Sequence, residues 1–207
     1  MNLLRSTIFI TFTVALTLLN AVADGKDIDK IIQLNNEGVR LLNAKQYDAA
    51  IAQFTEVRII DPDYLLAKDN LVVAYNSRGL AHFQQKHYQK AYDDFNNSFK
   101  LSNNPTVRLN RTATALRLRY FKDAYEDSLR ANSVELKALA EIGLGQPEEA
   151  IRLLKLNEPP TKLALMGLII AYRKLGQVSI SRQLEARLKS KSDLLELSEW
   201  TKVFSLQ

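Results

Sequence analysis

The chain has 207 residues, of which 46% are hydrophobic and 25% charged, a composition typical of a folded body and not of a disordered chain. Its formal net charge is +5, and the basic residues are interleaved with acidic ones, which argues against a nucleic-acid partner. The absence of cysteine excludes disulfides, thiolate metal sites, cysteine catalysis and lipid attachment to an N-terminal cysteine.

The first 23 residues have the layout of a secretory signal. "MNLLR" is followed by the apolar run "IFITFTVALTLL" at 8–19 and by the small residues "AVA" at 21–23, ahead of the polar "DGKD". This order predicts cleavage after Ala23. The alternative is an uncleaved membrane anchor over residues 6–23, although the apolar run is shorter than the roughly 20 residues of a typical span. The sequence therefore predicts an exported protein, periplasmic or secreted, that associates with a membrane only in the anchored alternative.

A pattern of one aromatic, one small and one large residue recurs along the rest of the chain. In "KQYDAAIAQFTEVRIIDP", at 45–62, Tyr47, Ala50 and Phe54 lie at spacings that share one helical face. Weaker or equal copies occupy four later places: Tyr88, Ala91 and Phe95; Phe121, Ala124 and Ser128; Pro147, Ala150 and Leu154; Val178, Ser181 and Glu185. Each copy follows another amphipathic stretch and a short turn. The pattern predicts a series of helix–turn–helix hairpins.

This pattern resembles the tetratricopeptide repeat, a helix–turn–helix unit of 34 residues. The signature positions that carry the resemblance are Gly38, Tyr47, Ala50, Phe54, Pro62, Gly79, Tyr88, Ala91 and Phe95. The resemblance implies an all-α solenoid of about five hairpins within 24–192, at 31–64, 72–105, 105–133, 134–158 and 162–192. A helix over 193–207, with Trp200 in it, is expected to cap the last hairpin. The wide spacing between Ala50 and Ala91 predicts that "YLLAKDN" lengthens either the helix before Gly79 or the loop leading into it.

No catalytic or metal-binding motif accompanies these repeats. The two histidines, His82 and His87, lie five positions apart, a spacing that turns them away from each other on a continuous helix. Serine-nucleophile, zinc-protease and phosphate-loop motifs do not occur. We therefore expect no enzymatic activity, no cofactor and no metal.

The resemblance places recognition on the first helix of each hairpin, because in tetratricopeptide arrays these helices line a concave groove for a peptide or a partner helix. By register, the groove residues expected here are Asn35, Val39, Asn43, Asn76, Leu80, Phe83, Gln84, Leu116 and Arg117. The apolar members have a second interpretation, which is packing against neighbouring helices. The expected function is an exported adaptor or scaffold that binds a protein or peptide. The alternative is a membrane-anchored structural subunit of a cell-envelope complex.

Overall fold

The computed structural model describes residues 27–156, 159–188 and 190–204, and every regular element in these ranges is a helix. The predicted signal at 1–23 lies outside the described residues. The helices, in chain order, are α1 (27–43), α2 (Tyr47–Ile60), α3 (Leu65–Gln84), α4 (Tyr88–Leu101), α5 (Pro105–Arg117), α6 (Phe121–Ala131), α7 (Val134–Gly143), α8 (Pro147–Leu154), α9 (Lys162–Lys174), α10 (Val178–Glu185) and α11 (Lys191–Phe204). The all-α solenoid predicted from the sequence is confirmed.

Each predicted hairpin range holds a first helix and a second helix. The second helix begins at the first residue of the repeated pattern in all five places: Tyr47, Tyr88, Phe121, Pro147 and Val178. The first helices extend further back than the predicted ranges in two places, since α1 is helical from 27 and α3 begins at Leu65. The additional residues after Pro62 therefore lengthen α3, which has 20 residues, and not the loop.

The five turns between the paired helices share one backbone conformation. The residue two positions before each second helix has a positive φ: Lys45 (59°), Lys86 (63°), Arg119 (64°), Gly145 (82°) and Gly176 (70°). In the first turn, Gln46 N donates to Leu41 O at 2.9 Å and Lys45 N donates to Leu42 O at 3.0 Å. This is the Schellman pattern, in which a left-handed residue lets the last carbonyls of a helix find donors. The same two bonds recur in the other four turns.

The small residue of each pattern lets the helices of a hairpin approach closely. Ala50, Ala91, Ala124, Ala150 and Ser181 are all buried to within 1% exposure. In the first two hairpins the large residue fits against a glycine: a Cβ on Gly38 would lie 2.5 Å from Phe54 Cε1, and one on Gly79 would lie 2.7 Å from Phe95 Cε1. Because no real Cβ makes such contacts, glycine is required there by packing.

The chain divides into two compact units, Met1–Tyr75 and Asn76–Gln207, and the division falls within α3. In the first unit, Phe54 and Val57 of α2 are fully buried and form the core with Ile31, Leu41 and other residues of α1 and α3. Asn70 Nδ2 on α3 donates to Asn35 Oδ1 on α1 at 2.9 Å. This bond fixes the two first helices of the unit side by side.

In the second unit, successive helices from α4 to α10 pack in chain order, and α5, α7 and α9 also contact one another in sequence. One apolar cluster runs through it, with Leu116, Leu139, Ile142, Met166 and Ile169 among its fully buried members. Three partly buried ion pairs among the described residues join a first to a second helix. They are Arg78 Nη2 to Asp94 Oδ1 at 2.6 Å, Arg111 Nε to Asp127 Oδ2 at 2.7 Å and Arg173 Nη2 to Glu185 Oε2 at 2.6 Å. Within the described ranges, no helix is both long and apolar enough to span a bilayer.

Candidate functional site

The predicted groove residues of the first unit lie along one side of α1. Asn35 is buried and accepts the bond from Asn70, so its carbonyl oxygen is already engaged between helices. Val39 is half-buried and Asn43 is exposed. The side chains accessible to a partner on this side are therefore Val39 and Asn43, while Asn35 joins the two helices.

The same side of α1 also carries two exposed isoleucines that sequence reasoning did not select. Ile28 is 56% exposed and Ile32 is 46% exposed, and both lie on the Val39 side of the helix at i, i+4 and i+11 spacing. On α3, Leu66 and Val73 are 59% and 49% exposed, seven residues apart on one face. Helical periodicity places both pairs on the same side of the Asn35–Asn70 contact. We call these four residues, Ile28, Ile32, Leu66 and Val73, the apolar stripe of the first unit.

Two of the predicted groove residues in the second unit are in contact with neighbouring side chains. Asn110 Nδ2 on α5 donates to Asn76 Oδ1 on α3 at 3.0 Å. The ring of Phe83 meets Tyr88 edge-on at 5.4 Å and is half-buried. Leu80 and Gln84 are exposed. The amide pair Asn76–Asn110 repeats, in the second unit, the way Asn35 and Asn70 join first helices.

The prediction that Leu116 lines an accessible groove is wrong. Leu116 has no exposed surface and belongs to the apolar cluster of the second unit. The second interpretation weighed for the apolar groove residues, packing between helices, holds at this position.

The C-terminal helix occupies the first-helix side of the second unit. α11 packs against α5 and α9, the first helices of the third and fifth hairpins. Its residues Leu197, Trp200 and Phe204 are 2–4% exposed and form part of the same apolar cluster as Leu116. α11 therefore packs on the last hairpin through its first helix α9, and it also reaches α5 of the third hairpin. The outer helix α10 keeps Val178 and Ile180 exposed, because α11 covers a different surface.

Arg117, the last predicted groove residue, contacts α11 directly. Its guanidinium carbon lies 3.6 Å from the centroid of the Trp200 ring, a cation–π geometry. Burial lowers the pKa of Arg117 from its ordinary value, because the charged form is removed from water. Trp200, which the sequence places in the expected capping helix, is buried, and its ring packs against Arg117 of the predicted groove.

Salt bridges hold the polar edge of α11. Lys86, in the turn after α3, pairs with Glu199, and Lys162 Nζ at the start of α9 lies 2.7 Å from Glu196 Oε2 and 3.5 Å from Asp193 Oδ1. The hydrogen bond to Lys86 lowers the pKa of Glu199, and the one to Glu196 raises the pKa of Lys162. All three carboxylates of this edge, Asp193, Glu196 and Glu199, therefore face basic residues of the groove.

Comparison with known proteins identifies the architecture. MamA (RS-1, ArsTM double mutant) is 18% identical with a TM-score of 0.54, and the match covers 82% of this chain and 95% of that chain. YrrB, a TPR protein with an unusual peptide-binding site, is 15% identical with a TM-score of 0.53 over 89% of this chain and 91% of that one. The fold is that of the tetratricopeptide repeat. At these identities the likeness concerns the fold alone. No family model matches the chain, and no curated protein matches it.

The all-round burial of α9 escaped sequence reasoning although the chain carries a signal for it. In α9 every residue from Ala164 to Tyr172 is buried. The run "LALMGLIIA" at 163–171 has no polar face, and a helix that is apolar all round is buried all round. A first helix lining an open groove would keep a polar or exposed face, so this run indicated that another element covers it.

The described ranges contain no group of three or more His, Asp or Glu residues placed to hold a metal ion. His82 and His87, which are not on one helical face, have ring centroids 6.1 Å apart, and His82 Nε2 lies 3.9 Å from the Asp94 carboxylate that Arg78 already binds. These contacts give the histidines a place in the packing of the second hairpin.

Proposed function

We propose that this protein is an exported, non-enzymatic adaptor that binds a protein or peptide partner on the first-helix side of its tetratricopeptide array. The apolar stripe of the first unit carries the proposal. Four large aliphatic side chains are about half exposed on one side of two neighbouring helices, where an amphipathic helix or extended peptide could bury them. Val39 and Asn43, on the same side of α1, would complete the contact.

Two further observations support this proposal. Exposed aliphatic residues on the second helices are spread more singly, as with Ile59 of α2. YrrB, which shares the fold, is described as having a peptide-binding site. In this chain, the amide groups of Asn35 and Asn76 already bond to neighbouring asparagines, so a partner would be recognised mainly through apolar contacts and not through these amides.

The proposal is tested by charge substitution within the apolar stripe. A chain carrying Ile32→Glu and Val73→Glu should lose the partner that the unmodified chain retains in affinity purification from its native compartment. Ile59→Glu is the matched control, because Ile59 is even more exposed, at 75%, but lies on the second helix α2. Retention of the same partner by the doubly substituted chain, or equal loss by Ile59→Glu, would exclude the stripe as the binding surface.

Export or membrane anchoring is decided by the native N-terminus. The sequence of residues 1–23 supports cleavage after Ala23 and hence a periplasmic or secreted protein. In the alternative, residues 6–23 remain as an anchor and the array serves as a structural subunit of an envelope complex. Mass spectrometry of the native protein separates the two: Asp24 as the first residue supports export, and a retained Met1 supports the anchor.

A further inference from the structure

The second unit differs from the first in that its first-helix side is filled. α11 lies there as a bound helix would, with an apolar edge of Leu197, Trp200 and Phe204 on α5 and α9. Its acidic edge faces Lys86 and Lys162. This surface therefore already recognises a helix by two kinds of contact, burial of aromatic rings and charge complementarity.

We propose that the surface of α5, α7 and α9 is a helix-binding site, that α11 is its exchangeable internal occupant, and that the external partner is a helix with the same chemistry. That chemistry is two aromatic residues four positions apart beside a row of acidic side chains. The inference rests on the proposed function, since it names a second site and a partner class for the same adaptor.

Two buried hydrogen-bond donors lie where α11 packs against the groove. Arg117 Nε and Trp200 Nε1 are both buried and have no hydrogen-bond acceptor among the described residues. A buried donor without an acceptor disfavours the closed state relative to one in which water or a partner supplies the acceptor. Beside α11, a surface cleft of about 320 Å³ that is open to solvent is lined by residues that include Arg173, Leu194 and Leu197.

α11 is also able to begin without the groove. Ser190 Oγ accepts from Asp193 N at 3.1 Å, and Asp193 Oδ2 accepts from Ser190 N at 3.2 Å. This reciprocal pair is a capping box, which satisfies the first donors of a helix locally. A helix whose start is formed by its own residues keeps that start when it leaves the groove, so release does not require unfolding of the cap.

An internal occupant competes with any external helix. A tethered segment acts at an effective concentration of about millimolar, so an external helix binds only the fraction of chains in which α11 has left. The observable consequence is that weakening α11 within the chain, without changing the groove, raises the apparent affinity for an added helix.

The test uses the full chain and a fluorescein-labelled peptide of residues 191–204 as the probe, followed by fluorescence anisotropy. In the chain with Glu196→Lys and Glu199→Lys, α11 loses its attraction to Lys162 and Lys86 while the groove is unaltered. This chain should bind the unmodified peptide roughly tenfold or more tightly than the wild-type chain does. Adding Lys162→Glu should abolish the gain, because the peptide then meets a like charge.

A locked chain supplies the opposite control. Because the chain has no cysteine, Lys86→Cys with Glu199→Cys introduces the only two thiols, and a short bis-maleimide can join them across the former salt bridge. The cross-linked chain should bind no peptide, whereas the same variant without the cross-linker should bind it. A scrambled peptide of equal composition should bind none of these chains.

Three outcomes overturn the proposal. The first is equal peptide affinity for the wild-type chain and for the chain with Glu196→Lys and Glu199→Lys. The second is the same peptide affinity before and after cross-linking of positions 86 and 199 in the locked chain. The third is dimerisation of the Glu196→Lys and Glu199→Lys chain by mutual exchange of α11, seen in sedimentation at the assay concentration. The last outcome would make a second copy, and not an external helix, the occupant. These readouts do not involve Ile32 or Val73, so failure here leaves the apolar stripe untouched, and failure of the stripe experiment leaves this site untouched.

Discussion

Phe54→Ala is the sharpest test of how the hairpins are held together. Phe54 is fully buried, and its ring fills the space left by the missing side chain of Gly38. Truncation removes most of a large apolar side chain and leaves a cavity whose opposite wall is a glycine, which has no side chain to move into it. We therefore expect the free energy of unfolding to fall by about 3–5 kcal/mol.

The glycine makes the prediction more specific. In the wild-type chain, Gly38→Ala places a Cβ 2.5 Å from Phe54 Cε1, and overpacking of this kind costs about 1–3 kcal/mol, which exceeds or offsets the gain of about 1 kcal/mol in helix propensity. In the Phe54→Ala background the same methyl group enters the cavity, so Gly38→Ala should stabilise the chain. Urea denaturation followed by far-UV circular dichroism gives both values. A Gly38→Ala effect of the same size in both backgrounds would refute the packing argument.

Three further predictions concern charged groups of the second unit. Asp127→Ala should lower the free energy of unfolding by about 3–5 kcal/mol, because the partly buried guanidinium of Arg111 loses its carboxylate partner. Arg152→Ala breaks an exposed pair and should leave the free energy of unfolding almost unchanged, and thermal denaturation compares the two. Glu141→Gln should raise the thermal midpoint at pH 7, because burial raises the pKa of this carboxyl and disfavours its ionised form, and the gain should disappear near pH 4. Lys86 holds the pKa of Glu199 below its ordinary value of 4.5, so the salt bridge stabilises α11 at pH values above 4.5 and is lost as the pH falls through the lowered pKa. Trp200 emission should therefore shift to the red in that acid range, and an emission maximum that stays constant there would contradict the assignment.

The hairpins were predictable because their determinants are local. Tyr47, Ala50 and Phe54 lie within two helical turns, and the turn before them is fixed by residues next to it in sequence. The first residue of every second helix could therefore be read from the repeated pattern, even in the degenerate copy at Val178. The sequence could not decide whether the residues after Pro62 lengthen α3 or the loop before it, since "YLLAKDN" is compatible with either.

The groove was less predictable because its occupancy depends on contacts between distant residues. Register alone assigned Leu116 and Arg117 to an accessible surface. In the structure Trp200, more than eighty positions away, joins the apolar cluster that contains Leu116, and its ring packs against the guanidinium of Arg117. The amphipathic pattern of 191–204 is the same for a terminal cap and for a helix that turns back, so that segment could not decide between them. The deciding signal was in its partner α9, whose residues 163–171 are uniformly apolar.

The turn after α3 shows where two demands on one residue conflict. Lys86 occupies a left-handed position that glycine would adopt without strain, as Gly145 and Gly176 do in the later turns. Glycine, however, would have no ammonium group to hold Glu199. Lys86→Gly should therefore relax the backbone of the turn and at the same time detach one end of α11. Lys86 therefore shapes the turn of the second hairpin and also holds the C-terminal helix in place. A substitution at this position changes the backbone of the turn and the access to the groove together.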